Sequence, residues 1–184
     1  MQKKKRRHLS KEELLYHMRG MSRMERFSGG VAYHDSAILV NYILYTEFGF
    51  RQKKITEFNE LILKKYRDNK SQDEINERLN EKADFIIGYH YVTGKDIEKT
   101  GNKFIDSKRM KMLDVDNDIQ GEFEKYMRYS YDALMDMGFG KIRLIRFRYF
   151  AENYSKEVSA RGIDAFASTL FDKIGLVIAY PEGF

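Results

Sequence analysis

The sequence contains no cysteine, no tryptophan and a single proline, Pro181, among its 184 residues. The absence of cysteine excludes disulfides, zinc–thiolate sites and cysteine nucleophiles, and it is typical of proteins from a reducing cytoplasm. So little proline favours long helices over a turn-rich all-β fold. No apolar run approaches the roughly 18 residues that a membrane span needs, and no signal-peptide apolar region follows the basic N-terminus. We therefore expect a cytoplasmic protein without a membrane segment.

What the chain does contain is material for a packed core. Hydrophobic residues make up 42% of the sequence, and tyrosine and phenylalanine contribute 13 residues each. Such a composition excludes global disorder. The length suits one compact domain, and we predict an α+β fold that is mainly helical.

Glycines and charge shifts divide the chain into four segments. We predict a disordered basic arm over residues 1–9, a helical unit over 10–86, an insert over 87–112 and a second helical unit over 113–184. Gly88, Gly94 and Gly101 punctuate the insert, and its strand-like residues 89–93 predict a small hairpin or irregular structure. The predicted helices span 11–27, 35–48, 52–67, 71–85, 118 or 120 to 137, 141–154 and 163–174, with a closing strand over 176–180.

The two helical units share a weak internal repeat. A shift of 89 residues superimposes residues 43–58 on residues 132–147, so that Gly49 meets Gly138 and Phe50 meets Phe139. Each copy reads as a helix, a Gly-Phe turn, a basic first turn and a second apolar helix. Residues 141–150 alternate as a strand would, but the alignment predicts a helix. Chance similarity between helix-turn-helix segments is the alternative explanation.

Positive charge is the strongest functional signal. The net charge is +5, and residues 1–26 hold nine basic and three acidic residues, so the rest of the chain is nearly neutral. Further basic clusters begin the second helix of each repeat, where a partner's anions would gain from the helix dipole. The alternative is ordinary surface charge balanced by nearby acids. The candidate contacts with an anionic partner are Arg19, Arg23, Arg26, Arg51, Lys53, Lys54, Lys141, Arg143, Arg146 and Arg148.

Motifs for catalysis are nearly absent. No two histidines have metal-ligand spacing, and no nucleotide-binding or nucleophile-elbow motif is present. The acidic run 114–118 resembles the start of a calcium loop, but Ile119 and Lys125 stand where that loop needs glycine and glutamate, so we predict a solvated turn. A magnesium-dependent nuclease built on Asp114, Asp116 and Asp118 is the least favoured possibility. We expect neither an enzyme nor a bound cofactor or metal.

The Gly-Phe units, EFGFRQKK at residues 47–54 and MGFGKIR at 137–143, resemble small proteins of Firmicute phages and prophages. Residues 18–50, with GGVAYHDSAILVNYILYTEFGF, look like the branch that contains type II-A anti-CRISPR proteins. That resemblance implies a phage protein that binds the Cas9–guide RNA complex and prevents it from engaging or cutting target DNA. Because the chain is basic, DNA mimicry fits poorly, and contact with nucleic acid or an acidic protein surface fits better. The alternative is a non-enzymatic phage regulator or replication accessory protein that binds double-stranded DNA.

Overall fold

The computed structural model describes residues 11–88 and 99–178, and it describes the backbone alone for 11–28, 159 and 161. Within these residues the chain forms six helices and no strand: α1 Lys11–Phe48, α2 Gln52–Arg67, α3 Gln72–Ala83, α4 Lys103–Asp136, α5 Lys141–Arg161 and α6 Asp164–Ile174. The prediction of a mainly helical protein is confirmed, whereas the β part of the predicted α+β class finds no support here. None of these helices is long and apolar enough to cross a membrane.

The first predicted helix boundary is wrong. Gly29 and Gly30 were expected to end a helix, but α1 passes through both without a break. Glycine inside a helix costs about 1 kcal/mol relative to alanine, which tertiary packing can outweigh. Gly30 is buried, and so is the run from Ile38 to Asn41 that follows it. Burial of this stretch against the rest of the protein therefore keeps the helix continuous.

The predicted insert is also shorter than expected. Helix α4 begins at Lys103, whereas the sequence predicted a start at Asp118 or Gln120. The Asn102 side chain accepts a hydrogen bond from the backbone N–H of Phe104 over 3.1 Å, and Asp106 accepts from Thr100, so the helix start is capped. Residues 103–112 are thus helical and not part of a hairpin. The acidic run 114–118 lies inside α4, so the predicted turn is wrong as well.

Other predictions concern residues outside those described. The basic arm 1–9 and the strand-like segment 89–93 both lie there. Of the predicted closing strand, residues 176–178 are irregular and 179–180 are not described.

The two halves of the chain repeat the same order of elements. Each has a long helix, a Gly-Phe turn, a second helix and a short third helix. Gly49 and Gly138 both have positive φ, at +66° and +84°, and the phenylalanine that follows each is buried. The shift of 89 residues pairs buried positions of α2 with buried positions of α5: Ile55 with Leu144, Phe58 with Phe147, and Ile62 with Ala151. Helix α5, which the alignment predicted against the strand-like pattern, is confirmed.

The third helices continue this correspondence after a two-residue insertion. Ile75 and Leu79 of α3 are buried, as are Phe166 and Leu170 of α6 at a shift of 91 residues. Both helices end in a left-handed residue, Asp84 (φ 60°) and Gly175 (φ 64°). The repeat in the sequence therefore corresponds to a repeat in the backbone.

The two units are intertwined. Helices α1 and α4 pack along each other at the centre, α2 and α3 pack mainly on α4, and α5 and α6 pack on α1. Each unit thus covers the long helix of the other unit more than its own. Most of the buried apolar residues of both units form one continuous cluster, so neither unit has a complete core alone. This exchange is the pattern expected of two halves that are related by an approximate twofold axis.

Short tails after the third helices follow the same exchange. The carbonyl of Ile87 accepts a hydrogen bond over 2.9 Å from Arg128 on α4. In the other unit, Nε2 of His34 on α1 lies 3.1 Å from the carbonyl oxygen of Ile178. Each tail is therefore fixed to the long helix of the opposite unit.

Candidate nucleic-acid interface

The two Gly-Phe turns meet at one end of the protein. The ring centroids of Phe50 and Phe139 lie 6.0 Å apart at nearly right angles. Phe48, the last residue of α1, lies 5.2 Å from Phe139 and 6.2 Å from Phe150. Edge-to-face packing of this kind is favourable for aromatic rings. The contact brings the first turns of α2 and α5 to a common surface, although they are far apart in the sequence.

A basic side chain lies over each turn phenylalanine. The Lys54 Nζ is 5.4 Å from the Phe50 centroid, and the Arg143 guanidinium carbon is 5.5 Å from the Phe139 centroid. Both are within the range of a cation–π contact. The shift of 89 residues relates Lys54 to Arg143 as it relates Phe50 to Phe139, so the two pairs are symmetry equivalents.

Two further arginines lie on aromatic rings nearby. The Arg146 guanidinium lies 5.6 Å from the Phe48 ring and 5.9 Å from the Phe150 ring. Arg51 lies 5.2 Å from the ring of Tyr45. We call this surface the twin-turn face. Its basic residues are Arg51, Lys53, Lys54, Lys141, Arg143 and Arg146, all exposed.

Carboxylates neutralise little of this face. Lys141 forms an ion pair with Asp84. The neighbouring Glu47 accepts a hydrogen bond over 2.7 Å from the Tyr154 hydroxyl. Among the described residues, no carboxylate lies within ion-pair distance of the other five cations: Arg51, Lys53, Lys54, Arg143 and Arg146. These five cations are therefore not held in direct ion pairs by described carboxylates, whereas Lys141 is.

The backbone adds positive potential to the same place. Neither the residue before α2, Arg51, nor the residue before α5, Gly140, forms a side-chain cap, and neither helix has an acidic residue in its first turn. The N-terminal N–H groups of both helices thus lack the usual partners. Because the helix dipole is positive at this end, the flanking cations are unfavourably placed unless an anion binds.

The structure separates the remaining predicted contacts from this face. Arg148 lies 4.9 Å from the Phe85 ring and donates a hydrogen bond to Glu152 over 2.8 Å, so it contacts the tail after α3 instead. Arg19, Arg23 and Arg26 belong to the part of α1 for which only the backbone is described. Six of the ten predicted residues thus come together on the twin-turn face.

Sequence reasoning missed a second cluster of charges, between α4 and the α2–α3 pair. The Asp132 carboxylate accepts hydrogen bonds from Lys65 over 2.6 Å, from Lys70 over 2.8 Å and from Arg78. Asp136, one helical turn later, also accepts from Lys65 and Arg78 over 2.6 and 2.8 Å. We call these five residues the charge cluster.

The charge cluster holds the two units together. Asp132 is fully buried and Lys65 nearly so. Burial raises the pKa of Asp132, but the hydrogen bonds and charges of Lys65 and Lys70 outweigh that effect and hold this pKa below its ordinary value. The sequence did contain a signal: two aspartates four residues apart stand within the apolar end of α4, where a buried carboxylate requires a cation.

The side chains described in residues 29–88 and 99–178 form no metal site. No three histidine, aspartate or glutamate side chains in that part of the chain are grouped to hold a metal ion. The His34 ring contacts Asp35 and the carbonyl oxygen of Ile178, which anchors the last tail. The Tyr66 hydroxyl donates to Glu122 over 2.6 Å, and burial raises the pKa of both groups. These contacts have structural roles.

Comparison with protein-family models, with curated proteins and with solved structures finds no match to this chain. Its function is therefore inferred from its own residues, of which the twin-turn face is the best-defined candidate site.

Proposed function

We propose that this protein binds nucleic acid through the twin-turn face and acts without catalysis. The observation that carries the proposal is a set of five exposed cations that form no ion pair with any carboxylate in the described part of the chain: Arg51, Lys53, Lys54, Arg143 and Arg146. All of them except Lys53 lie over an aromatic ring. Phosphate groups would supply the missing negative charge and release counterions on binding. Guanidinium groups suit this role because one guanidinium can donate two parallel hydrogen bonds to one phosphate.

The aromatic rings support the same proposal. Long basic side chains usually lose rotamer entropy when they are fixed by a partner. Here Arg143 and Arg146 already lie on rings that are themselves packed in the core. The cations are therefore partly ordered before the partner arrives, and their charge remains available.

Charge reversal on the face tests the proposal. We expect the double substitution Arg143→Glu and Arg146→Glu to abolish binding of a short labelled DNA duplex, measured by fluorescence anisotropy at low salt. The matched control is Lys108→Glu with Lys111→Glu, two exposed positions near the other end of α4, about 40 Å along the helix from the turn. If both double variants lost binding equally, the net charge of the protein alone would explain the interaction, and a defined binding face would be refuted.

A second candidate is inhibition of a guide-loaded Cas9, as the resemblance of residues 18–50 implies, and an apolar stripe on α5 suits a protein partner. Ile142, Ile145 and Tyr149 lie one turn apart on the outer side of α5 and are 77%, 44% and 62% exposed. The equivalent positions of α2 are polar: Lys53, Thr56 and Glu60. Exposed apolar residues beside arginines are typical of the centre of a protein–protein interface.

This candidate has its own experiment. The protein should co-purify with the Cas9–guide RNA complex and stop cleavage of target DNA. The double substitution Ile142→Ser and Ile145→Ser should relieve that inhibition while leaving binding to free DNA intact. Undiminished cleavage in the presence of excess wild-type protein would exclude the candidate.

A further inference from the structure

The twin-turn face is symmetric in a way that restricts its partner. The approximate twofold axis exchanges Lys54 over Phe50 with Arg143 over Phe139. Because the two rings also touch each other, at 6.0 Å, the axis passes close to that contact. The two cations thus lie on opposite sides of one axis, each beside an uncapped helix start.

Resting on the proposed function, we infer that the face binds a nucleic-acid duplex with the protein's twofold axis on a dyad of the duplex, so that each Gly-Phe turn contacts one strand. A duplex has such dyads because its strands are antiparallel and equivalent. Symmetric binders use this match between the protein's twofold axis and that of the duplex. A single strand has a direction and no dyad, so the two turns could not bind it equivalently.

The two rings between the cations limit how far apart the cations can lie. Three contacts of 5.4, 6.0 and 5.5 Å separate the Lys54 ammonium from the Arg143 guanidinium, by way of the two rings. The sum of these three distances is an upper limit to the separation of the two cations, so both can reach phosphates on the two sides of one major groove, which is about 12 Å wide in B-form DNA. One turn can therefore lie at each edge of one groove.

The residue types at the face indicate that both turns contact the sugar–phosphate backbone of the nucleic acid and do not both contact its bases. The equivalent cations are a lysine in one unit and an arginine in the other, and both bind phosphate. Beyond them the two helices differ, with Lys53 and Thr56 on α2 where α5 has Ile142 and Ile145. What the two units share is the phosphate-binding part of the site.

The test compares two equivalent substitutions. Lys54→Gln and Arg143→Gln each remove one positive charge from one side of the axis. Affinity for a short DNA duplex falls with salt, and each substitution should reduce the steepness of log affinity against log salt by about 0.9, the value for one phosphate contact. The double variant should reduce it by about twice as much. Lys108→Gln, at the remote end of α4, should leave the slope unchanged. Circular dichroism of each variant would show whether the helices are intact.

A comparison of double-stranded with single-stranded DNA completes the test. Wild-type protein should bind the duplex at least about tenfold more tightly than either of its single strands. If a single strand binds as tightly as the duplex, or if only one of the two glutamine variants changes the salt slope, the dyad arrangement is wrong while the proposed nucleic-acid binding survives. If wild-type protein binds neither substrate, the proposed function itself is overturned.

Discussion

The Tyr154 hydroxyl donates a hydrogen bond to the Glu47 carboxylate over 2.7 Å, which ties α5 to the end of α1. The shift of 89 residues maps Tyr154 onto Lys65 and Glu47 onto Asp136, and these two residues are also bonded, over 2.6 Å. The same place in the two units thus holds a hydrogen bond from a neutral hydroxyl to a carboxylate in one and an ion pair in the other. The backbone has kept its symmetry here while the chemistry of the contact has diverged.

Removing the Tyr154 hydroxyl should weaken the protein slightly. Tyr154→Phe deletes the donor to Glu47 and leaves the ring contacts with Tyr42 and Phe166 in place. We expect the free energy of unfolding to fall by about 1.5 kcal/mol, the lower end of the range for a hydrogen bond to a charged group. Chemical denaturation would measure this change. Tyr149→Phe is the matched control, because Tyr149 is 62% exposed, and a loss of the same size there would contradict this explanation.

Asp132 should contribute more to stability than the hydrogen bond between Tyr154 and Glu47 does. Asp132→Asn removes the buried negative charge that Lys65, Lys70 and Arg78 share. Breaking a buried ion pair from one side costs about 3–5 kcal/mol. Because Asp136 still pairs with Lys65 and Arg78 in this variant, we expect a loss of about 3 kcal/mol in denaturant titrations.

The control for this substitution is Asp114→Asn, which changes an exposed aspartate on the same helix and should alter stability by less than about 0.5 kcal/mol. Similar stability of the Asp132 and Asp114 variants would mean that the charge cluster does not hold the units together.

The charge cluster also predicts how stability depends on pH. Lys65 and Lys70 keep the pKa of Asp132 below its ordinary value of 3.8. The stability contributed by this carboxylate is therefore fully present above about pH 4 and is lost as the pH falls through the lowered pKa. Burial raises the pKa of Glu122 and Glu124, the opposite direction. The difference in stability between wild type and Asp132→Asn is therefore more informative than the pH dependence of wild type alone.

We expect the gap in unfolding free energy between wild type and Asp132→Asn to be constant near neutral pH and to narrow below pH 4. Urea titrations at several pH values would measure it. A gap that widened towards acid pH would contradict the lowered pKa of Asp132.

Local signals in the sequence sufficed for much of the fold. Gly49 and Gly138 marked both turns, and the 89-residue shift indicated that residues 141–150 are helical, against their strand-like alternation. The helix predicted to start at residue 71 was also found, and there the Ser71 side chain accepts a hydrogen bond from the backbone N–H of Glu74. Each of these features depends on a few adjacent residues, and backbone stereochemistry determines them.

Features that depend on tertiary contacts were missed. Gly29 and Gly30 end a helix by propensity alone, and only the burial of α1 overrides that preference. A lysine near the end of a helix is ordinarily exposed, so Lys65 gave no sign of the charge cluster. At the candidate site, the basic residues were identified, but their meeting through Phe50 and Phe139 required the fold. The exchange of helices between units had no counterpart in the local sequence.

The two turn glycines offer a test of the symmetry itself. Gly49 and Gly138 have positive φ, and a β-carbon added at either position would meet no other atom within 4 Å. Alanine should therefore cost only backbone strain, about 1 kcal/mol at each site. Gly49→Ala and Gly138→Ala should lower the unfolding free energy by similar amounts in denaturant titrations, because the two turns have equivalent conformations.

Asparagine variants distinguish backbone strain from a steric effect at these turns. It adopts the left-handed conformation more readily than alanine does, although its side chain is larger. Gly49→Asn and Gly138→Asn should therefore destabilise the protein less than the alanine variants. If asparagine were the more harmful residue at both sites, a steric contact would be responsible and not backbone conformation. If alanine were harmful at only one site, the two turns would not be equivalent, and the approximate twofold relation on which the shared face depends would fail at its centre.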